Sequence, residues 1–162
     1  MIDGLLPLKP DPRDFALGAV TTLPSLAELP QQFSLGVKIV LDQNSDENND
    51  FCMAYSTAGM AALQDGVLSY PPFVFAASKY LTGDPESFGQ DMRSMMKAWT
   101  KFGCPEWSRI PPSVQALTPE QRRYLNNYPD STRIEAQYNI KATYFSVTGP
   151  YDMYDNIRAS IW

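Results

Sequence analysis

From Cys52 to about Gln64, apolar and small residues recur at helical spacing. Met53, Ser56, Met60 and Leu63 share one face, and Ala54, Ala58, Ala61 and Ala62 keep the segment slim. A slim helix with apolar residues on several sides is a buried helix, and Gly66 supplies its stop. Pro71-Pro72 opens a second helix over 73–81, closed by Gly83-Asp84-Pro85. A third is expected over 90–102, with Met92, Met95, Met96, Trp99 and Phe102 on one face and Gly103 at its end. That Met-rich face reads as core. Thr118-Pro119-Glu120-Gln121 combines a capping Thr, a proline in the first helical position and a Gln three residues after the cap. It predicts a helix that ends near Tyr128-Pro129. A brief helical stretch is expected over 134–138.

The remaining segments follow other patterns. Val37 to Leu41 is a short apolar run with the look of a strand. Ile140, Ala142, Tyr144 and Ser146 alternate with Lys141, Thr143, Phe145 and Val147, which predicts another. Gly149-Pro150 then turns into a last helix over 151–161. A lone strand is not independently stable, so this one pairs with the N-terminal region or its partners lie outside the chain. Pro7, Pro10, Pro12, Pro24 and Pro30 make 1–36 an extended strap, with a short helical turn near 25–29. Pro105, Pro111 and Pro112 mark an irregular passage.

Composition narrows the chemistry. A chain of 162 residues, 44% hydrophobic and 19% charged, is long enough for a globular domain with a core. The net charge of -5, with no Lys/Arg cluster, argues against nucleic acid as a partner. No apolar run approaches the ~18 residues of a membrane span. The N-terminus lacks the basic and apolar regions of a signal peptide, so a cytoplasmic or virion-associated protein is expected. Cys52 and Cys104 form no disulfide framework, although sequence leaves a bond between them open. With no histidine and two distant cysteines, no metal or cofactor constellation is present.

Cys52 stands where an acidic, Asn-rich loop becomes a helix. The first N–H groups of a helix lack internal partners and carry the positive end of its dipole. A thiolate there is stabilised and becomes a usable nucleophile. Position alone speaks more for a structural thiol, the common fate of a small apolar side chain. The surroundings shift that balance. Gln43, in the loop ahead, can donate its amide to a developing oxyanion together with the Cys52 N–H.

An Asp-Gln pair, a loop, then Cys-x-Ala-aromatic-Ser leading a helix resembles the papain-like cysteine peptidases. Further segments follow in that family's order. "PDPRDF", Pro10 to Phe15, resembles the segment ahead of the mature domain in bacterial and phage members. "LPQQFSL", Leu29 to Leu35, resembles the start of the mature domain, with Ser34 where Asp is usual. "YPPFVFAASKY", Tyr70 to Tyr80, is similar to the Ser-Pro-x-Phe helix. "FGQDMRSMMKAWTKFGCPE", Phe88 to Glu106, is similar to the block that ends Gly-x-Cys-Pro-Glu. "YNIKATYFSV" and the final helix resemble the crossing into the second, barrel-like half.

The resemblance implies an α+β, papain-like fold: the mainly helical N-terminal (left) half with the start of the β-barrel half. The strap would span 1–36, the helical subdomain 37–139 and the start of the barrel subdomain 140–162. It implies hydrolysis of peptide or amide bonds in a peptide or protein substrate, with Cys52 as nucleophile and Gln43 in the oxyanion hole. Gly89, flanked by Phe88 and Gln90, would line the substrate groove. Cys104 matches a cysteine of that block and reads as structural. The family's His and Asn lie roughly 130–150 residues after the Cys, whereas Trp162 ends this chain 110 residues after Cys52. The chain is therefore expected to be a truncated N-terminal half, inactive alone, with the base on the missing C-terminal half or another polypeptide. The alternative is a catalytically inactive papain-like protein with a structural or binding role in a larger assembly such as a phage particle. Two departures stand out. Met53 replaces a common Trp or Thr, and the loop carries Asp46, Glu47 and Asp50, whose charge should raise the pKa of a nearby thiol.

Overall fold

A computed structural model of the chain describes residues 25–28 and 50–140. The chain divides into two units, Met1–Leu8 with Val37–Ala142, and Lys9–Gly36 with Thr143–Trp162. In the second unit a 3-10 turn, Leu26–Glu28, is described, closed on itself by Ser25 N–H and Oγ donating to the Glu28 carboxylate at 2.8 Å each. The rest of the expected strap, the strand over 37–41, the loop holding Gln43, Asp46 and Glu47, and the strand and helix after Ile140 lie outside the described residues.

The described part of the first unit is helical. Among the described residues no strand forms. One isolated antiparallel bridge joins Ser69 to Glu106. The first helix, α1, is Cys52–Asp65, and Gly66 ends it at φ 71°, its N–H bonded to the Ala62 carbonyl. It is buried on several sides, and the four residues that share the expected face do not share one environment. Ala54, Ala58 and Ala61 are buried with Met53 and Thr57, while Ser56 is exposed and Met60 is 45% exposed. Alanines at i, i+4 and i+7 let a neighbouring helix approach closely, and the larger methionine is turned outward. Thr57 stays buried because its hydroxyl donates to the Met53 carbonyl at 2.6 Å. Ala58→Met is therefore expected to cost about 2 kcal/mol through overpacking, and Met60→Ala under about 0.5 kcal/mol, both read by urea unfolding.

The central helix, α2, is Pro71–Thr82. Its first nine residues, Pro71 to Lys79, are all buried; a helix apolar around its circumference packs on every side. Pro71 and Pro72 occupy the first turn, where a missing N–H costs nothing. The third helix, α3, is Met92–Phe102. Asp91 caps it by accepting from Ser94 N–H at 2.9 Å and Ser94 Oγ at 2.7 Å. Met95, Ala98 and Trp99 face the core, with Met92 and Phe102 packed at its edge.

After α3 the chain doubles back along the start of α2. Tyr70 N–H donates to the Pro105 carbonyl at 2.9 Å and Trp107 N–H to the Leu68 carbonyl at 2.7 Å. The Tyr70 and Trp107 rings meet edge to face. The irregular passage resolves into a 3-10 turn, Trp107–Arg109, and one short helix, α4, Pro112–Gln115.

The expected helix after Thr118 does not form. Its capping box does: Thr118 N–H donates to Gln121 Oε1 at 2.9 Å and Gln121 N–H to Thr118 Oγ1 at 3.3 Å. Two 3-10 turns follow instead, Gln121–Arg123 and Leu125–Asn127, separated by Tyr124 in an extended conformation. Tertiary contacts outweigh the local signal. Tyr128 is buried edge-on to Phe73, its hydroxyl on the Arg122 carbonyl at 3.0 Å. The last described helix, α5, is Asp130–Gln137 and begins four residues before the expected 134. Trp99 Nε1 donates to the Asn139 carbonyl at 2.9 Å, tying α3 to the end of α5.

Candidate active site

Cys52 is the first residue of α1 and is partly exposed. The residue before it, Phe51, is fully buried, its ring edge-on to Phe75 with centroids 4.3 Å apart. No side chain caps the helix from the Phe51 position. The thiol sits at the positive end of the helix dipole, the arrangement that favours a thiolate. Cys104 has the opposite environment. It is completely buried, its thiol donates to the Tyr70 carbonyl at 3.2 Å, and burial pushes its pKa far above the ordinary thiol range. Both side chains are thiols; neither is in a disulfide.

The acidic loop ends on Asp50, two residues before Cys52. Asp50 is fully buried and forms an ion pair with Arg123 Nη2. Arg123 also donates through Nη1 to the carbonyls of Pro85 and Ser87, each at 3.1 Å. Beside it Lys79, fully buried on α2, directs its ammonium to Ser87 O at 2.6 Å, Ser87 Oγ at 2.8 Å and Gly89 O at 2.6 Å. Both cations lie against the Phe75 ring, Lys79 Nζ at 5.2 Å and Arg123 Cζ at 5.9 Å from its centroid. Burial and then the neighbouring Arg123 charge lower the Lys79 pKa, against the attraction of Asp50 and Asp84.

This buried hub fixes two of the regions singled out from sequence. One is the approach to Cys52. The other is the loop from Gly83 to Gln90, which carries the three expected groove residues. Phe88 is 48% exposed. Gly89 is buried at φ 67°, a backbone conformation open mainly to glycine. Gln90 is turned inward: its side chain is 3% exposed, donates to Thr82 Oγ1 at 3.4 Å and accepts from Asp91 N–H at 3.1 Å. Gln43 lies outside the described residues. Sequence reasoning missed Lys79 and Arg123. Lys79 could have been noticed as the one charge in the apolar run PPFVFAASKYL; nothing local marks Arg123. Among the described residues, no three His, Cys, Asp or Glu side chains converge as metal ligands. No helix there is long and apolar enough to cross a membrane.

No family model and no curated protein matches the sequence. The structure does have a solved counterpart: xylellain, a cysteine protease from Xylella fastidiosa, superposes with a TM-score of 0.71 over 98% of this chain. The fold is papain-like. Identity to xylellain is 17%, and the chain spans 62% of that protein's length. The papain-like fold accounts for the buried central helices. At this identity the likeness is one of fold alone.

Proposed function

We propose that Cys52 is the nucleophile of a cysteine protease-type site that hydrolyses peptide or amide bonds. The observation that supports this best is the placement of Cys52: partly exposed, as the first residue of a buried helix, in a papain-like fold. In the reaction, the Cys52 thiolate bonds to the carbonyl carbon, and the carbonyl electrons move onto oxygen. The Cys52 N–H and the Gln43 amide hold that oxyanion. The C–N bond then breaks, the amine leaves with a proton from the general acid, and water releases the acyl group from sulfur. The 162 residues hold no histidine. The acid–base partner is therefore assigned to polypeptide outside them, a further segment or another chain.

Alkylation tests the nucleophile without needing that partner. Iodoacetamide is expected to modify Cys52 in the folded chain several-fold faster at pH 7 than a cysteine in an unstructured peptide. The gain in thiolate outweighs the lower nucleophilicity of a more acidic thiol. Cys104 should stay unmodified until the chain unfolds, and peptide mass spectrometry separates the two. Cys52 labelling no faster than the reference peptide would overturn the proposal and favour the non-catalytic reading.

A further inference from the structure

The three carboxylates ahead of Cys52 raise a difficulty for any nucleophile there, because negative charge disfavours a thiolate. The structure shows how one of them is handled. Asp50 is two residues from Cys52, so their Cα atoms are at most about 7 Å apart. Its carboxylate is fully buried and pairs with Arg123, 73 residues along the chain. Two cations face this carboxylate's surroundings, Arg123 and Lys79. The Lys79 ammonium is committed to Ser87 and Gly89 with three hydrogen bonds. Arg123 makes the direct pair.

We infer that Arg123 is the positioning residue for Cys52: it neutralises Asp50, pins the turn that enters α1, and holds the Pro85–Ser87 backbone from the same guanidinium. The rest of the hub fits this role. Phe51, between Asp50 and Cys52, is locked against Phe75, and Phe75 in turn carries Arg123 over its ring. The residue before the thiol and the residue before that are therefore both fixed by groups that meet on α2. A planar, permanently charged guanidinium suits this geometry, since it serves one carboxylate and two carbonyls in different directions. The assignment builds on the nucleophile proposal, yet its test reads a difference between variants and so stands apart from it.

The pH dependence of Cys52 alkylation by iodoacetamide, followed in the full chain by peptide mass spectrometry, reads the charge felt by the thiol. Arg123→Met, which leaves the Asp50 charge uncancelled, is expected to raise the midpoint by about one pH unit, a tenfold loss of thiolate below it. Arg123→Lys should restore part of the shift. The double variant Asp50→Asn with Arg123→Met should return the midpoint close to the wild-type value. Asp50→Asn alone, nearly isosteric, should lower it, and this variant decides the matter if Arg123→Met does not fold. A midpoint unmoved in folded Arg123→Met, or unmoved or raised in Asp50→Asn, overturns the inference. A wild-type midpoint at the ordinary thiol value, with the variant shifts intact, overturns the nucleophile proposal and leaves Arg123 as the charge partner.

Discussion

Gly103→Ala is expected to cost more than about 4 kcal/mol, enough to remove most of the stability of an ordinary domain. Gly103 ends α3 at φ 73°, ψ -166°, a conformation essentially restricted to glycine. The space is closed as well. A Cβ added there would lie 1.8 Å from the Ala136 carbonyl oxygen and 2.6 Å from its carbon, with Ile140 Cγ1 at 3.2 Å. The first two are backbone atoms of α5 and cannot rotate aside. Relief requires α3 and α5 to separate, which would break the Trp99–Asn139 hydrogen bond and open the buried Trp99 to water. Gly66 is the control. It has nearly the same φ, 71°, but nothing within 4 Å of an added Cβ, so Gly66→Ala should cost only the backbone penalty of about 1–2 kcal/mol. Urea unfolding followed by far-UV circular dichroism separates the two. Equal costs would mean that the close approach of α5 adds nothing.

Lys79→Met is the second large effect, expected to destabilise by about 3 kcal/mol. The stem of Lys79 can be replaced by a chain of similar length, but the ammonium cannot. Its removal leaves the buried Gly89 carbonyl without its Lys79 donor and takes one hydrogen bond each from Ser87 Oγ and the Ser87 carbonyl, the latter keeping only Arg123. The pH dependence carries a further sign. Lys79 has a pKa below its value of 10.5 in the unfolded chain. Between the two pKa values the unfolded state binds more protons, so stability rises with pH across that window. The burial cost is present in full below the folded pKa and relieved above the unfolded one. The stability advantage of wild type over Lys79→Met should therefore grow as pH rises toward 10.5. An advantage that shrinks over that range would show that the hydrogen bonds to the charged form outweigh its desolvation. The exposed Phe88, in the loop that Lys79 holds, should also gain amide exchange in the variant.

The existence of the helices was legible because it depends on near neighbours. Prolines at 71 and 72 and glycines at 66, 83 and 103 act within a turn of their own positions, and the structure puts each at a helix end. The 118–128 segment shows the limit of that logic. Its capping box forms as the sequence dictates, yet the helix is abandoned within one turn, because Tyr124 must extend for Arg123 to meet Asp50 and Tyr128 to meet Phe73. The environments along one face of α1, with Met53 buried and Met60 exposed, were not legible for a related reason. Periodicity finds which residues share a face, but which of them are covered depends on how near the adjacent helices lie.

Local sequence therefore determined where α1, α2 and α3 stop, that the Met-rich side of α3 faces the core, and that a cysteine opens a helix. Those features depend on backbone sterics and on hydrogen bonds a few residues long. Tertiary structure alone decided that Asp50 is buried and neutralised, that Lys79 and Arg123 share one aromatic ring, and that Gly103 meets the backbone of α5. Each of those joins residues tens of positions apart, and a buried charge is tolerable only when its distant partner has been brought to it.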